Sequence, residues 1–119
     1  MNLNSILIGS ADAQRLAEYY TRLFGPPGWD EDGYKGWQLG TGFLTVGPHD
    51  EVTGANTQPG RLIWNIESAD VKGDFERLKA AGATVVREPY SMGGADAWIA
   101  TLSDPDDNYF QLISPMGAG

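Results

Sequence analysis

The chain has 119 residues, eight basic and sixteen acidic side chains, a formal charge of -8 and no cysteine. That length supports one folded domain that buries most of its apolar surface without a disulfide or structural metal, and the missing thiol excludes cysteine nucleophiles and thiolate metal sites. The acidic balance argues against nucleic-acid phosphates or anionic lipid as partners, and no secretion signal or roughly 20-residue apolar run is present, so a cytoplasmic protein with no membrane partner is expected.

Taken in order, Asn4 to Ile8 reads as a short apolar strand, ended by Gly9 and Ser10, and Asp12 is placed to cap a helix from Ala13 to Phe24. Leu16, Tyr19, Tyr20, Leu23 and Phe24 fall on one face of that helix, and Gly25-Pro26-Pro27-Gly28 stops it. Short strands separated by glycine follow at Trp29 to Glu31, Tyr34 to Leu39 and Phe43 to Val46. The polar, Gly- and Pro-rich stretch from Gly47 to Gly60 reads as a connector.

The second half repeats the first. Leu62 to Ile66 reads as a strand, Asp70 as a helix cap, and Val71, Phe75 and Leu78 as a buried stripe ended by Gly82. Strands follow at Thr84 to Arg87, Trp98 to Leu102 and Tyr109 to Ile113. The expected fold is therefore α+β, two βαβββ modules (1–58 and 59–119) of a single domain. Each covers one face of a curved mixed sheet with a helix, and the two open faces form a cleft, the usual place for a small-molecule site.

Between the last two strands, Asp104-Pro105-Asp106-Asp107-Asn108 is a tight acidic turn: Pro105 cannot donate to a ladder, and the residues after it tolerate turn conformations. Pairing Leu102 with Tyr109 sets Ala100 opposite Gln111 and Trp98 opposite Ile113, all on one face. Two acidic clusters, Asp30 to Asp32 and this turn, read as solvated or self-bonded rather than metal-binding. His49, the single histidine, is a loop residue or a general base beside Asp50 or Glu51. No phosphate loop, dinucleotide fingerprint or nucleophile elbow is present.

With these motifs the chain resembles the vicinal oxygen chelate superfamily, which includes glyoxalase I, extradiol dioxygenases and the fosfomycin and bleomycin resistance proteins. The carriers are Asp12 with Glu18-Tyr19-Tyr20 and Leu23-Phe24-Gly25, Asp70 with the run from Phe75 to Gly82, and the Asp104 to Asn108 turn. In the family that turn reads Asp-Pro-any-Gly-Asn, so Asp107 stands where a left-handed glycine is usual, a conformation aspartate adopts cheaply. Metal-dependent members place His, Glu or Gln at four positions, which the resemblance puts at Ser5, Thr45, Ile63 and Gln111. Hydroxyls, an isoleucine and one neutral amide are a poor set for a divalent ion, so no metal and no cofactor are expected.

What remains at the expected site is aromatic and neutral. Ser5, Phe43, Thr45, Ile63, Asn65, Trp98, Tyr109 and Gln111 fall on the cleft side by strand parity or alignment, while Trp64 points to the helix. Trp37 joins this set as an aromatic that parity leaves unassigned, and Tyr90 and Met92 as a loop over the mouth or an ordinary exposed loop. The resemblance therefore implies a metal-independent protein, similar to the bleomycin-resistance branch, that sequesters a small aromatic or amphipathic antibiotic or metabolite and forms a homodimer. The alternatives are a lyase, isomerase or dioxygenase-like enzyme with atypical site residues, and an accessory module that recognises a protein.

Overall fold

The computed structural model describes residues 1–91, 93 and 97–115. The sequence repeat becomes two compact units, Met1–Ala55 and Asn56–Gly119. In the first, β1 (Ser5–Ser10), α1 (Ala13–Phe24), β2 (Trp29–Glu31), β3 (Tyr34–Leu39) and β4 (Gly42–Pro48) build a sheet of order β1-β4-β3-β2. In the second, β5 (Trp64–Glu67), α2 (Val71–Ala80), β6 (Thr84–Ser91), β7 (Trp98–Ser103) and β8 (Tyr109–Ile113) give β5-β8-β7-β6. Each sheet is mixed: its first strand runs parallel to its last, and the remaining pairs are antiparallel. Among the described residues no helix is long and apolar enough to cross a membrane.

Both helices begin with the same device. The buried hydroxyl of Ser10 accepts the Asp12 N–H at 3.0 Å, and Asp12 Oδ1 accepts the Arg15 N–H at 3.2 Å. In the second unit Ser68 Oγ accepts the Asp70 N–H at 3.1 Å, and Asp70 Oδ1 accepts the Gly73 N–H at 3.0 Å. A serine thus fixes the turn out of the strand, and an aspartate satisfies helix donors that have no intrahelical partner.

The cores follow from the apolar stripes. Leu16, Tyr20 and Leu23 of α1 are buried with Leu44, Val46 and Trp37 of the sheet, and Phe75 and Leu78 of α2 with Leu102, Phe110 and Leu112. Burying such side chains contributes about 1.5–3 kcal/mol each. Trp37 Nε1 donates to the Gly25 carbonyl at 2.8 Å, so the indole is tied to the C-terminal end of α1. In the second unit Trp64 stacks on Phe110 with ring centroids 5.0 Å apart, and Lys72 of α2 lies 3.7 Å over the Trp98 ring.

The β7–β8 hairpin differs from its expected register by one residue: Ser103, not Leu102, faces Tyr109, so Thr101 faces Gln111 and Ile99 faces Ile113. The cause is Asp104. Its buried carboxylate accepts the N–H groups of Asp106 at 2.9 Å and Asn108 at 3.0 Å, and Asn108 Nδ2 donates to it at 3.0 Å. Meanwhile the Asp104 N–H bonds the Asn108 carbonyl at 3.0 Å, which carries the pairing one residue further into the turn. Because strand side chains alternate, that slip moves every β7 side chain to the other face.

Two outcomes test this hairpin. Asp104→Ala removes several charge-assisted bonds at a buried site and is expected to lower unfolding free energy by about 3 kcal/mol or more, read as a fall in urea midpoint at unchanged slope. Asp107 has φ of 63°, so Asp107→Gly is expected to stay within about 0.5 kcal/mol of the parent while Asp107→Val loses about 1–2 kcal/mol. Equal midpoints for the Gly and Val variants would remove the left-handed argument.

Candidate functional site

Each sheet has one face under its helix and one face without a helix, and the ladders assign the residues between them. On the helix-free face of the first sheet, Leu7, Thr45, Gly36 and Trp29 form one row across the four strands. Ser5, Phe43 and Gln38 form the row beside it. Two glycines shape this surface by lacking a Cβ. The Phe43 ring lies against Gly36, where an added Cβ would come within 2.7 Å of Cε1, and the Tyr34 ring lies against Gly47. Tyr34 Oη then donates to the Pro48 carbonyl at 3.0 Å, which holds the ring down.

The second sheet carries a different surface. Asn65, Gln111, Thr101 and Arg87 form a continuous row across β5, β8, β7 and β6. Gln111 Nε2 donates to Thr101 Oγ1 at 3.1 Å, joining the middle of the row. Beside it run Glu67, Ile113, Ile99 and Tyr90, and on the other side Tyr109 faces Ser103. Register irregularities on either side of Arg87 bend β6, the kind of bulge that re-aims a side chain.

Of the residues expected at the site, Ser5, Phe43 and Thr45 share the helix-free face of the first sheet, and Asn65, Tyr90, Tyr109 and Gln111 that of the second. Two tryptophans do not. Trp37 pairs with buried Leu44 on the α1 side and is 2% exposed, because its ring packs against Tyr20 with centroids 6.1 Å apart. Trp98 is turned to the α2 side by the one-residue slip and sits under Lys72. Tyr90 is a strand residue opposite Ile99 rather than part of a loop, and Ile63 lies just before β5, outside the ladder. Met92 lies outside the described residues.

Trp29, Thr101 and Arg87 were missing from the expected set. Trp29 could have been found by following parity from Thr45 through Gly36; Thr101 required the correct hairpin register, and Arg87 the bulged one.

The family resemblance implies a divalent metal, and the donors do not fit one. Ser5, Thr45, Asn65 and Gln111 offer only neutral oxygens, whereas ionised or imidazole ligands supply most of the affinity for such ions. Among the described residues no three His, Cys, Asp or Glu side chains are arranged so that they could hold a metal ion. His49 Nδ1 accepts the Glu51 N–H at 3.2 Å and lies 3.7 Å from Asp50 Oδ1, beyond hydrogen-bond distance.

An open groove of about 860 Å³ lies instead on the α1 side, lined by Ala13, Ala17, Thr21, Pro27, Lys35 and Pro48. Lys35 there is neutralised by Asp30 at 2.8 Å. Size alone does not make it the site: it shares no face with Ser5, Phe43 or Thr45.

Comparison with known proteins agrees with this architecture. A family model described as a glyoxalase-like domain matches residues 5–113. A lactoylglutathione lyase of Arabidopsis thaliana is 28% identical over 113 residues, covering 86% of this chain and 40% of that protein. A putative lactoylglutathione lyase of Brassica oleracea var. gemmifera is 27% identical with the same coverage. The chain thus spans about 40% of the length of these curated relatives.

Among solved structures, a glyoxalase-related enzyme from Fulvimarina pelagi superposes with a TM-score of 0.75 at 20% identity, covering 99% of this chain and 94% of that one. TioX from Micromonospora sp. ML1 reaches 0.77 at 16% identity, covering 98% of this chain and 100% of that one. At these identities the structures speak for the fold. The match of the family model over nearly the whole chain, on two βαβββ units, goes further: the protein belongs to the glyoxalase-like domain family of the vicinal oxygen chelate superfamily.

Proposed function

We propose that this protein is a metal-independent binding protein that sequesters a small aromatic or amphipathic molecule, an antibiotic or a metabolite, without transforming it. The observation that carries the reading is the row Asn65-Gln111-Thr101, a run of neutral amides and a hydroxyl in which Gln111 holds the one position that the resemblance assigns to a metal ligand. Tyr90 and Tyr109 flank it, and Phe43 and Tyr34 pave the helix-free face of the first sheet. Amides and hydroxyls orient a ligand edge; rings supply stacking area.

A planar aromatic drug or a smaller aromatic metabolite is expected to bind saturably in calorimetric titration and raise the melting temperature. Tyr109→Ala is expected to weaken that binding by about 2- to 12-fold, the range that one aromatic contact provides. A panel of aromatic compounds that produces neither heat nor stabilisation overturns the reading.

The 28% identity over 113 residues to a lactoylglutathione lyase favours a second reading, a lyase of similar activity. Metal analysis of protein purified without chelator separates the two. We expect substoichiometric divalent metal and no turnover of lactoylglutathione; one tightly bound ion per chain with turnover would establish the lyase.

A homodimer is part of the proposal. In each sheet the first strand, β1 or β5, is an edge strand, and Leu7 on β1 is 56% exposed. Sedimentation equilibrium is expected to give twice the 12.9 kDa chain mass, and a monomer at micromolar concentration would reject this element.

A further inference from the structure

Arg87 ends the polar row of the second sheet. It faces Thr101 in register, and Thr101 is the hydroxyl that Gln111 bonds at 3.1 Å. Its guanidinium lies 3.8 Å over the Tyr90 ring, so one flat face is held by the aromatic while the N–H groups at its edge stay available. The side chain is exposed, and among the described residues no carboxylate forms an ion pair with it. The carboxylates within the strands of this sheet are Glu88, next along the chain, and Glu67, one row over and three strands away on the far edge. In a chain with twice as many acidic as basic residues, a stacked and unpaired arginine on the helix-free face is conspicuous.

We propose that Arg87 binds a carboxylate group of the ligand, which makes the ligand class an aromatic carboxylate; this rests on the binding function proposed above. The geometry sets the layout of such a molecule. Neighbouring strands are about 4.8 Å apart, so the row from Asn65 to Arg87 spans roughly 14 Å. An anionic end at Arg87 therefore leaves an aromatic body over Thr101, beside Ile99 and Ile113, and an opposite end within reach of Gln111 and Asn65. A planar carboxylate suits the paired N–H groups of guanidinium better than those of an ammonium. The chain's net charge of -8 works the other way at long range. Beyond roughly 8 Å that repulsion is screened at physiological ionic strength, so a preference for anions has to come from a cation in direct contact.

Calorimetric titration with biphenyl-4-carboxylate and its neutral isostere biphenyl-4-carboxamide tests this. The parent protein is expected to bind the carboxylate about 10-fold more tightly than the amide, the scale of one charge-assisted pair. Arg87→Gln is expected to abolish that preference, so that the carboxylate binds no more tightly than the amide, and Arg87→Lys to retain part of it. Arg87 is exposed, so both variants are expected to keep the parent melting temperature. Amide binding with no carboxylate preference, or a preference that survives in Arg87→Gln, rejects the role of Arg87 while the binding function stands. If neither probe binds the parent, the carboxylate assignment fails, whereas the binding function is decided by the panel of aromatic compounds above.

Discussion

The buried carboxylate of Asp104 is the constraint on which the second unit depends. It collects the N–H groups of Asp106 and Asn108 and the side-chain amide of Asn108, at 2.9 to 3.0 Å. A carboxylate at 2% exposure would be costly without such partners, and here the turn itself supplies them. The same hairpin also anchors the start of the unit: Asn56 donates from its backbone to the Asp106 carbonyl at 2.8 Å and from Nδ2 to Asn108 Oδ1 at 3.1 Å. One side chain therefore sets the hairpin register, and through Asn108 it helps fasten the connector. By setting register it also decides which β7 residues belong to the site.

Repetition and divergence fall on opposite faces of the two sheets. On the helix side both units use serine then aspartate to start the helix and leucine and aromatic residues to fill the core. Those choices answer the same local problem of leaving a strand and covering it, so the sequence can repeat them. On the helix-free side the units part. The first has Gly36 and Gly47 with rings laid over them, whereas the second has amides, a hydroxyl and an arginine in line. Folding constrains that face least, which leaves it free to specialise.

This division explains what could be read from the residues alone. The helices at Ala13–Phe24 and Val71–Ala80 follow from apolar spacing and aspartate caps, and the order of strands follows from turn residues. Trp98 could not be placed the same way. Both candidate registers keep strict alternation, and the choice between them lies in bonds made by Asp104 inside the turn. Trp37 shows a second limit, because its side is fixed by a contact with Gly25 twelve residues earlier. Arg87 shows a third: the irregular pairing of β6 breaks the two-residue period on which parity rests. Local rules thus recovered the elements, and longer-range bonds decided the site.

The hydrogen-bonding capacity of the polar row bears on what it can hold. Gln111 and Thr101 are joined at 3.1 Å, and an amide and a hydroxyl can make that bond with either partner donating. If the amide nitrogen donates, the Gln111 oxygen and the Thr101 hydroxyl proton remain. In the opposite sense, the Gln111 NH₂ and a lone pair on Thr101 remain. Either way the pair still presents both a donor and an acceptor, which matches the edge of a neutral amide, phenol or heterocycle. A divalent cation meets the reverse situation. It finds only neutral amide and hydroxyl oxygens along the row, with Arg87 at its end adding repulsion. The residue that disfavours a cation is also the one suited to an anion, so the charge pattern of the row and its hydrogen-bonding pattern select the same kind of occupant.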